Sequence, residues 1–165
     1  MASRPRHYWL VKSEPDVFSI QDLARAPGRT TFWDGVRNYQ ARNLLRDEMQ
    51  VGDGVLFYHS SADPPAVAGT ATVARAGSPD PTQFEAGSDH HDPASTREAP
   101  RWYGVHIKLD RIFPRPIPLP ELREVPALAK MVLLQRSRLS VQPVTTKEWD
   151  TIVALGTEEA AGRGK

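Results

Sequence analysis

Val51–Val73 reads VGDGVLFYHSSADPPAVAGTATV. Val51-Gly52-Asp53-Gly54 has turn chemistry, and Val55–Ser60 is an apolar, β-prone run. Asp63-Pro64-Pro65 turns the chain back, and Ala66–Ala76 is a second run broken only by Gly69. Two β-prone runs joined by a short polar segment with proline read as a β-hairpin with a polar tip. The rest of the chain is placed around this hairpin.

Upstream, His7–Lys12 (HYWLVK) reads as a strand. Ser19 is placed to cap a short helix with Asp22 at its third position, and Phe18 and Leu23 flank it as a hydrophobic staple. Pro27-Gly28 ends that helix. Asn38 is placed to cap a helix running to about Met49. At ~100° per residue, Ala41, Leu44, Leu45 and Met49 share one arc, with Arg42 and Arg46 beside it.

Downstream, residues 77–100 are rich in Pro, Ser, Asp and Gly and read as a long solvated loop. A loop of that length is uncommon unless functional or disordered. In Arg101–Phe113, Tyr103, Val105, Ile107, Leu109 and Phe113 face one way, and Gly104, His106, Lys108 and Asp110 the other, as in a half-buried strand. Pro114–Pro120 is extended, and Leu119–Leu134 holds short helices interrupted at Pro126. Pro143 puts the strand Ser140–Val144 near a sheet edge. Thr145 and Glu148 form a capping box for a last helix with Trp149, Ile152 and Val153 on its apolar face and Gly156 closing it. Five or six strands and three or four short helices predict a compact, barrel-like sheet with helices outside. Residues 7–156 form the expected single domain, with tails at 1–6 and 157–165.

Composition excludes several classes. The chain has 165 residues, no cysteine and a net charge of +1. It therefore has no disulfide, thiol nucleophile or thiolate zinc site. Proline, at 15 of 165 residues, is about 9% against a usual ~5%, which argues against a helical bundle. No apolar run reaches the ~18 residues of a spanning helix, and MASRPRHYW is no secretory leader. The expectation is an intracellular protein, in a bacterial cytoplasm first, with a nucleus left open. The acidic middle of the chain lies between two net basic ends, so charge alone makes no case for nonspecific DNA binding.

No P-loop, G-x-G-x-x-G or G-x-S-x-G motif is present. His90-His91-Asp92 is the densest group of metal-ligand types. Adjacent residues on a strand point to opposite faces, so these read as solvated, and no cofactor is expected. More informative are Trp33, Asn38 and Tyr39 with Arg37 and Arg42 between and beside them, Trp9 and Lys12 on the first strand, and Tyr58 and His59 ending another. Aromatic faces beside amide and basic groups suit a reader of unstacked bases: rings stack, amides read edges and cations hold phosphates. The same aromatics also suit a core.

YWLVKSEPDVFSIQDL (Tyr8–Leu23), WDGVRNYQARNLLR (Trp33–Arg46), VGDGVLFYHS (Val51–Ser60), PDPTQF (Pro79–Phe84) and RLSVQPVT (Arg138–Thr145) resemble the EVE domain family. The resemblance implies an α+β, PUA-like fold, a small mixed β-barrel flanked by short helices. It also implies recognition without catalysis of a modified base, C5-modified cytosine in DNA first, DNA being favoured over RNA. On that reading Trp33 stacks on the base, Ser13 and Asn38 bond its edge, and Val36, Tyr58 and His59 line the pocket. Lys12, Arg37, Arg42 and Arg138 then hold the phosphates. Trp33→Ala is expected to abolish preference and spare the fold. Two alternatives stand beside it: a reader of modified transfer or ribosomal RNA, and an enzyme on a modified nucleoside using His59, Glu14 and Lys12 as acid–base groups. The sequence HHDPAS departs from relatives that carry aromatic and lysine residues there, which weakens a nucleic-acid role for that loop.

Overall fold

The structure is a computed structural model describing residues 5–135 and 138–157. Its strands are β1 (Tyr8–Ser13), β2 (Thr30–Phe32), β3 (Gly54–His59), β4 (Ala66–Pro79), β5 (Tyr103–Pro118) and β6 (Val141–Val144). Its helices are α1 (Ile20–Arg25), α2 (Tyr39–Asn43), α3 (Leu119–Arg123), α4 (Val132–Gln135) and α5 (Thr146–Thr157). The six strands form one sheet in the order β2-β5-β4-β3-β1-β6. The predicted hairpin is β3–β4, and β1 lies parallel to β3, which makes the sheet mixed.

The expected closed barrel is not found. β2 is three residues long and pairs with β5, β6 pairs with β1, and among the described residues no ladder joins β2 to β6. An aromatic-lined cavity lies where closure would occur, with β2 on one side and the ends of β1 and the approach to β6 on the other.

Alternation along the strands divides the core between the two faces. Trp9, Val11, Val55, Phe57, Val105 and Ile107 face one cluster with Ile20 and Leu23 of α1, Leu45 and Trp33. Leu10, Leu56, Tyr58 and Val67 face the other with Leu122, Trp149 and Ile152. Ser19 and Asp22 form the predicted capping box on α1. Asn38 caps α2, its Oδ1 accepting from Ala41 N–H at 2.9 Å. The single helix expected up to Met49 instead passes into a π-turn, Leu44–Glu48, closed by Met49 N–H donating to Leu44 C=O at 2.9 Å.

Three further expectations are corrected. Leu109 and Phe113 do not share a face. The β4–β5 register shifts between Thr70 and Ala71, so the bulge sends Leu109 to the first cluster and Phe113 to the second. Gly156 does not close the last helix: α5 continues to Thr157, and a Cβ on Gly156 would stand 2.3 Å from the Phe113 ring. Residues 77–100 are not a freely solvated loop. β4 runs to Pro79, and beyond it Asp80, Gln83 and Ser95 are buried. Gln83 Nε2 donates to the carbonyls of Asp80 and Trp102 at 2.8 Å each, while its Oε1 accepts from Ser95 Oγ and Trp102 N–H. Of the expected tails, residues 1–4 and 158–165 lie outside the described residues. Arg6 is tied down, its Nε donating to Gly52 C=O at 2.9 Å. Among the described residues no helix is long and apolar enough to cross a membrane.

Candidate nucleic-acid interface

The seam of the open sheet holds a cavity of about 820 Å³, within the ~300–1,000 Å³ range of small-ligand sites. Lys12, Ser13 and Glu14 line it from the end of β1, Val17 and Phe18 from the following turn, and Thr31 and Phe32 from β2. The segment Trp33–Asn38 lines it along its whole length, and Ser60, His90 and Ser140 complete the lining.

Two glycines shape the wall. Gly104 on β5 lets the chain after β2 come close: a Cβ there would stand 2.1 Å from the Trp33 carbonyl oxygen. Gly35 has φ +79°, and the His90 ring lies against it, 2.7 Å from where a Cβ would be. That left-handed conformation favours glycine.

The Trp33 ring is only 8% exposed and belongs to the first core cluster. It meets Phe57 edge-to-face at 5.4 Å and Phe18 at 6.3 Å. It is therefore both core and cavity wall, and the aromatic lining is shared with Phe18 and Phe32. Removing it removes core packing, so Trp33→Ala is expected to destabilise the fold and not to spare it.

Arg37 is committed within the protein. Its Nε and Nη2 donate to His90 C=O, Nη1 to Val36 C=O and to Asp80 Oδ2 at 3.1 Å, and Nη2 also to Thr82 Oγ at 3.2 Å. A guanidinium has five N–H donors, and these bonds use them all. Arg37 thus clamps the Trp33–Asn38 segment to the loop after β4, and a phosphate could reach it only by displacing those bonds. The fully buried Asp80 carboxylate also accepts from Gly35 N–H at 2.7 Å and from Thr82 N–H and Oγ at 2.8 and 2.6 Å. Burial alone would raise that carboxyl; the bonds from Thr82, Gly35 and Arg37 outweigh it and hold it below the usual carboxylate range.

The other expected residues divide. Lys12, Ser13, Val36 and Asn38 line the cavity. Burial lowers the Lys12 ammonium. Ser13 Oγ donates to Phe18 C=O, which leaves its lone pairs to accept. Asn38 keeps its Nδ2 hydrogens for a guest while Oδ1 caps α2. Tyr58 and His59 do not line the cavity. Strand alternation turns Tyr58 into the second core, and burial raises its phenol. His59 Nε2 accepts from Ile20 N–H at 3.0 Å at the start of α1, and burial pushes its imidazole down. Arg42 lies outside the cavity. Its guanidinium sits 5.0 Å from the Tyr39 ring centre, Tyr39 stacks on Trp102 at 4.7 Å, and Arg37 lies 5.3 Å from Trp102. This cation–aromatic ladder stiffens the rim. Arg138 is exposed two residues before Ser140.

Sequence reasoning missed Phe18, Phe32, Asp34 and His90 as lining residues. Phe18 is legible as a staple and does that work too, packing on the core. His90 comes from the loop whose departure from relatives argued against it. Its place follows from the buried Asp80 and Gln83, and no local motif signals it. Asp34 is an exposed residue, but the cavity mouth partly desolvates its carboxyl, which is pushed up by that and by Asp80, with His90, its own N–H and Arg37 opposing. Among the described residues no three His, Asp or Glu side chains come together to hold a metal.

Fold and cleft together define an EVE-type domain. The EVE domain model matches residues 7–155, and the chain belongs to the EVE domain family. Human thymocyte nuclear protein 1 is 42% identical over 169 residues, covering 92% of this chain and 75% of that protein. The structure of human THYN1 in complex with 5-methylcytosine-containing DNA superposes with a TM-score of 0.88 at 42% identity, covering 93% of this chain and 99% of that one. A hypothetical protein from Leishmania major gives a TM-score of 0.89 at 43% identity, with 98% of each chain covered.

Proposed function

We propose that this chain binds DNA and takes one C5-modified cytosine out of the helix into the seam cavity, without transforming it. The observation that carries the reading is the cavity itself. It gathers Phe18, Phe32 and Trp33 beside Lys12, Ser13 and Asn38. The human relative solved with 5-methylcytosine-containing DNA supports the choice of ligand. Flipping a base costs a few kcal/mol of stacking and pairing. Aromatic stacking at ~1–3 kcal/mol per base and hydrogen bonds to the base edge offset that cost.

In this reading the aromatic residues and Val36 form the apolar slot, Asn38 donates to the base edge and Ser13 accepts from it. Lys12, Arg42 and Arg138 hold the backbone, and Arg37 positions the wall that the base meets. An added methyl in an apolar slot is worth only ~1–3 kcal/mol, so preference over plain cytosine is modest. Recognition without catalysis fits the engagement of His59, whose Nε2 is occupied by the Ile20 N–H.

The test is a tryptophan-fluorescence titration with matched DNA duplexes carrying 5-methylcytosine or cytosine, repeated with RNA of the same sequence. Tighter binding to the methylated DNA supports the reading. Preference for the RNA would move the ligand to that class, and equal weak binding to all three would leave the cavity without this role.

A further inference from the structure

A slot that reads only the C5 methyl group cannot tell 5-methylcytosine from thymine, which carries the same methyl and is present throughout DNA. The two bases differ at C4, next to the methyl group. Cytosine presents an N4 amino donor where thymine presents an O4 acceptor. A group in the cavity that accepts and does not donate, placed against C4, therefore discriminates, and uncharged or cationic side chains do not supply one. An ionised carboxylate does.

The cavity contains two carboxylates, Glu14 and Asp34. Asp34 is the better held. It stands between Trp33, whose carbonyl oxygen packs on Gly104, and Gly35, whose N–H is bonded to Asp80 at 2.7 Å. Among the described residues its side chain is engaged by no side-chain donor, although Arg37 and His90 are close enough to act on it through space. Arg37 has already spent its donors on Asp80, Thr82, Val36 and His90. Beyond the bond from its own N–H, Asp34 thus presents acceptors at the cavity mouth, on a backbone fixed from two sides. Glu14 sits at the exposed start of the Glu14–Phe18 turn on a longer, freer side chain.

We infer that Asp34 is the specificity-determining residue of the cavity: its carboxylate accepts the N4 amino hydrogen of a 4-aminopyrimidine and repels the O4 of a 4-ketopyrimidine. The site then takes 5-methylcytosine and excludes thymine and uracil. This rests on the base-binding reading above and adds to it the class of base admitted.

The experiment compares duplexes differing at one position, 5-methylcytosine or thymine, each opposite an abasic site so that no base pair has to be broken. A third duplex, abasic at both positions, measures backbone binding alone. Wild type is expected to bind the 5-methylcytosine duplex at least about tenfold more tightly than the thymine duplex, the scale of one well-placed base contact. Asp34→Asn offers an amide oxygen to N4 and an amide hydrogen to O4, and should bring the two within about threefold. Asp34→Ser, a second uncharged variant, should do the same, while Glu14→Gln keeps the preference. Asp34 is exposed at the cavity mouth, and unchanged melting temperatures check that the variants remain folded. Wild type binding both bases tightly and equally overturns the inference, as does Asp34→Asn keeping the full preference; in either case base binding itself still stands. Wild type binding no duplex better than the doubly abasic one overturns the base-binding reading and the inference with it.

Discussion

Asp80→Asn tests the claim that a buried ion pair sets the cavity wall. The substitution keeps the shape of the side chain, so it opens no cavity. It removes the charge that Arg37 faces and converts one of two accepting oxygens into a donor. On the Oδ2 side the new amide would meet Gly35 N–H and Arg37 Nη1; on the Oδ1 side it would meet Thr82 N–H and Oγ. The Thr82 hydroxyl can turn to accept, so the second arrangement is better, yet it still orphans a backbone N–H. An orphaned buried donor costs about 1–3 kcal/mol, and breaking a buried pair costs about 3–5 kcal/mol. The Arg37 side chain is 23% exposed and keeps its bonds to His90, Val36 and Thr82, which places the total nearer 3 kcal/mol. At ~2–4 °C per kcal/mol for a chain of this size, Tm falls by roughly 6–12 °C. The penalty depends on pH. Because the Asp80 carboxyl is held below its ordinary value of 3.8, its stabilisation is complete above that pH and is lost as pH falls through the lowered folded value. The difference between wild type and variant therefore narrows below about pH 4. Calorimetry from pH 7 to pH 3 measures both effects. A variant melting within about 1 °C of wild type at pH 7 would refute the reasoning.

Three other outcomes follow from the same contacts. Trp33→Ala should lose about 3–5 kcal/mol in denaturant unfolding, because the ring fills core as well as lining the cavity; a loss under about 1 kcal/mol would mean the ring is not core. His59→Gln keeps an acceptor for Ile20 N–H and removes a group that resists protonation in the fold. Wild-type stability should decline as pH drops below the ordinary histidine value of 6.5, since the unfolded chain takes up that proton first, and the variant's decline should be shallower; parallel pH profiles would contradict this. Gly156→Ala in a helix interior would ordinarily stabilise by about 1 kcal/mol. Here its Cβ would stand 2.3 Å from the Phe113 ring, so thermal melting should show a loss of about 1–3 kcal/mol instead.

Much of the fold can be read locally. The β3–β4 hairpin follows from its turn chemistry, both capping boxes from their spacing, and the edge position of β6 from Pro143. The barrel does not follow, because closure depends on whether two distant edges meet, and here a cavity intervenes. The β5 bulge carries no local signal, so alternation alone misplaces Phe113. Among the cavity-lining residues, Lys12, Trp33 and Asn38 are legible from residue type, and Ser13 and Val36 only from the resemblance to the EVE family. Tyr58 fails because a period of two turns it away from Phe57. The engagement of Arg37 is not legible because, apart from Val36, the groups that occupy it lie 43 to 53 residues further along the chain, and Asp34 and His90 gain their setting from that same clamp.

The most direct measurement of whether a base enters the seam is an isotope-filtered NOE experiment on the chain bound to a DNA duplex with a ¹³C-labelled methyl on 5-methylcytosine. Entry predicts cross-peaks from that methyl to ring protons of Phe18, Phe32 or Trp33, with loss of the imino signal of the opposing guanine. A protected guanine imino proton, with no methyl contact to those rings in a saturated complex, would contradict the account.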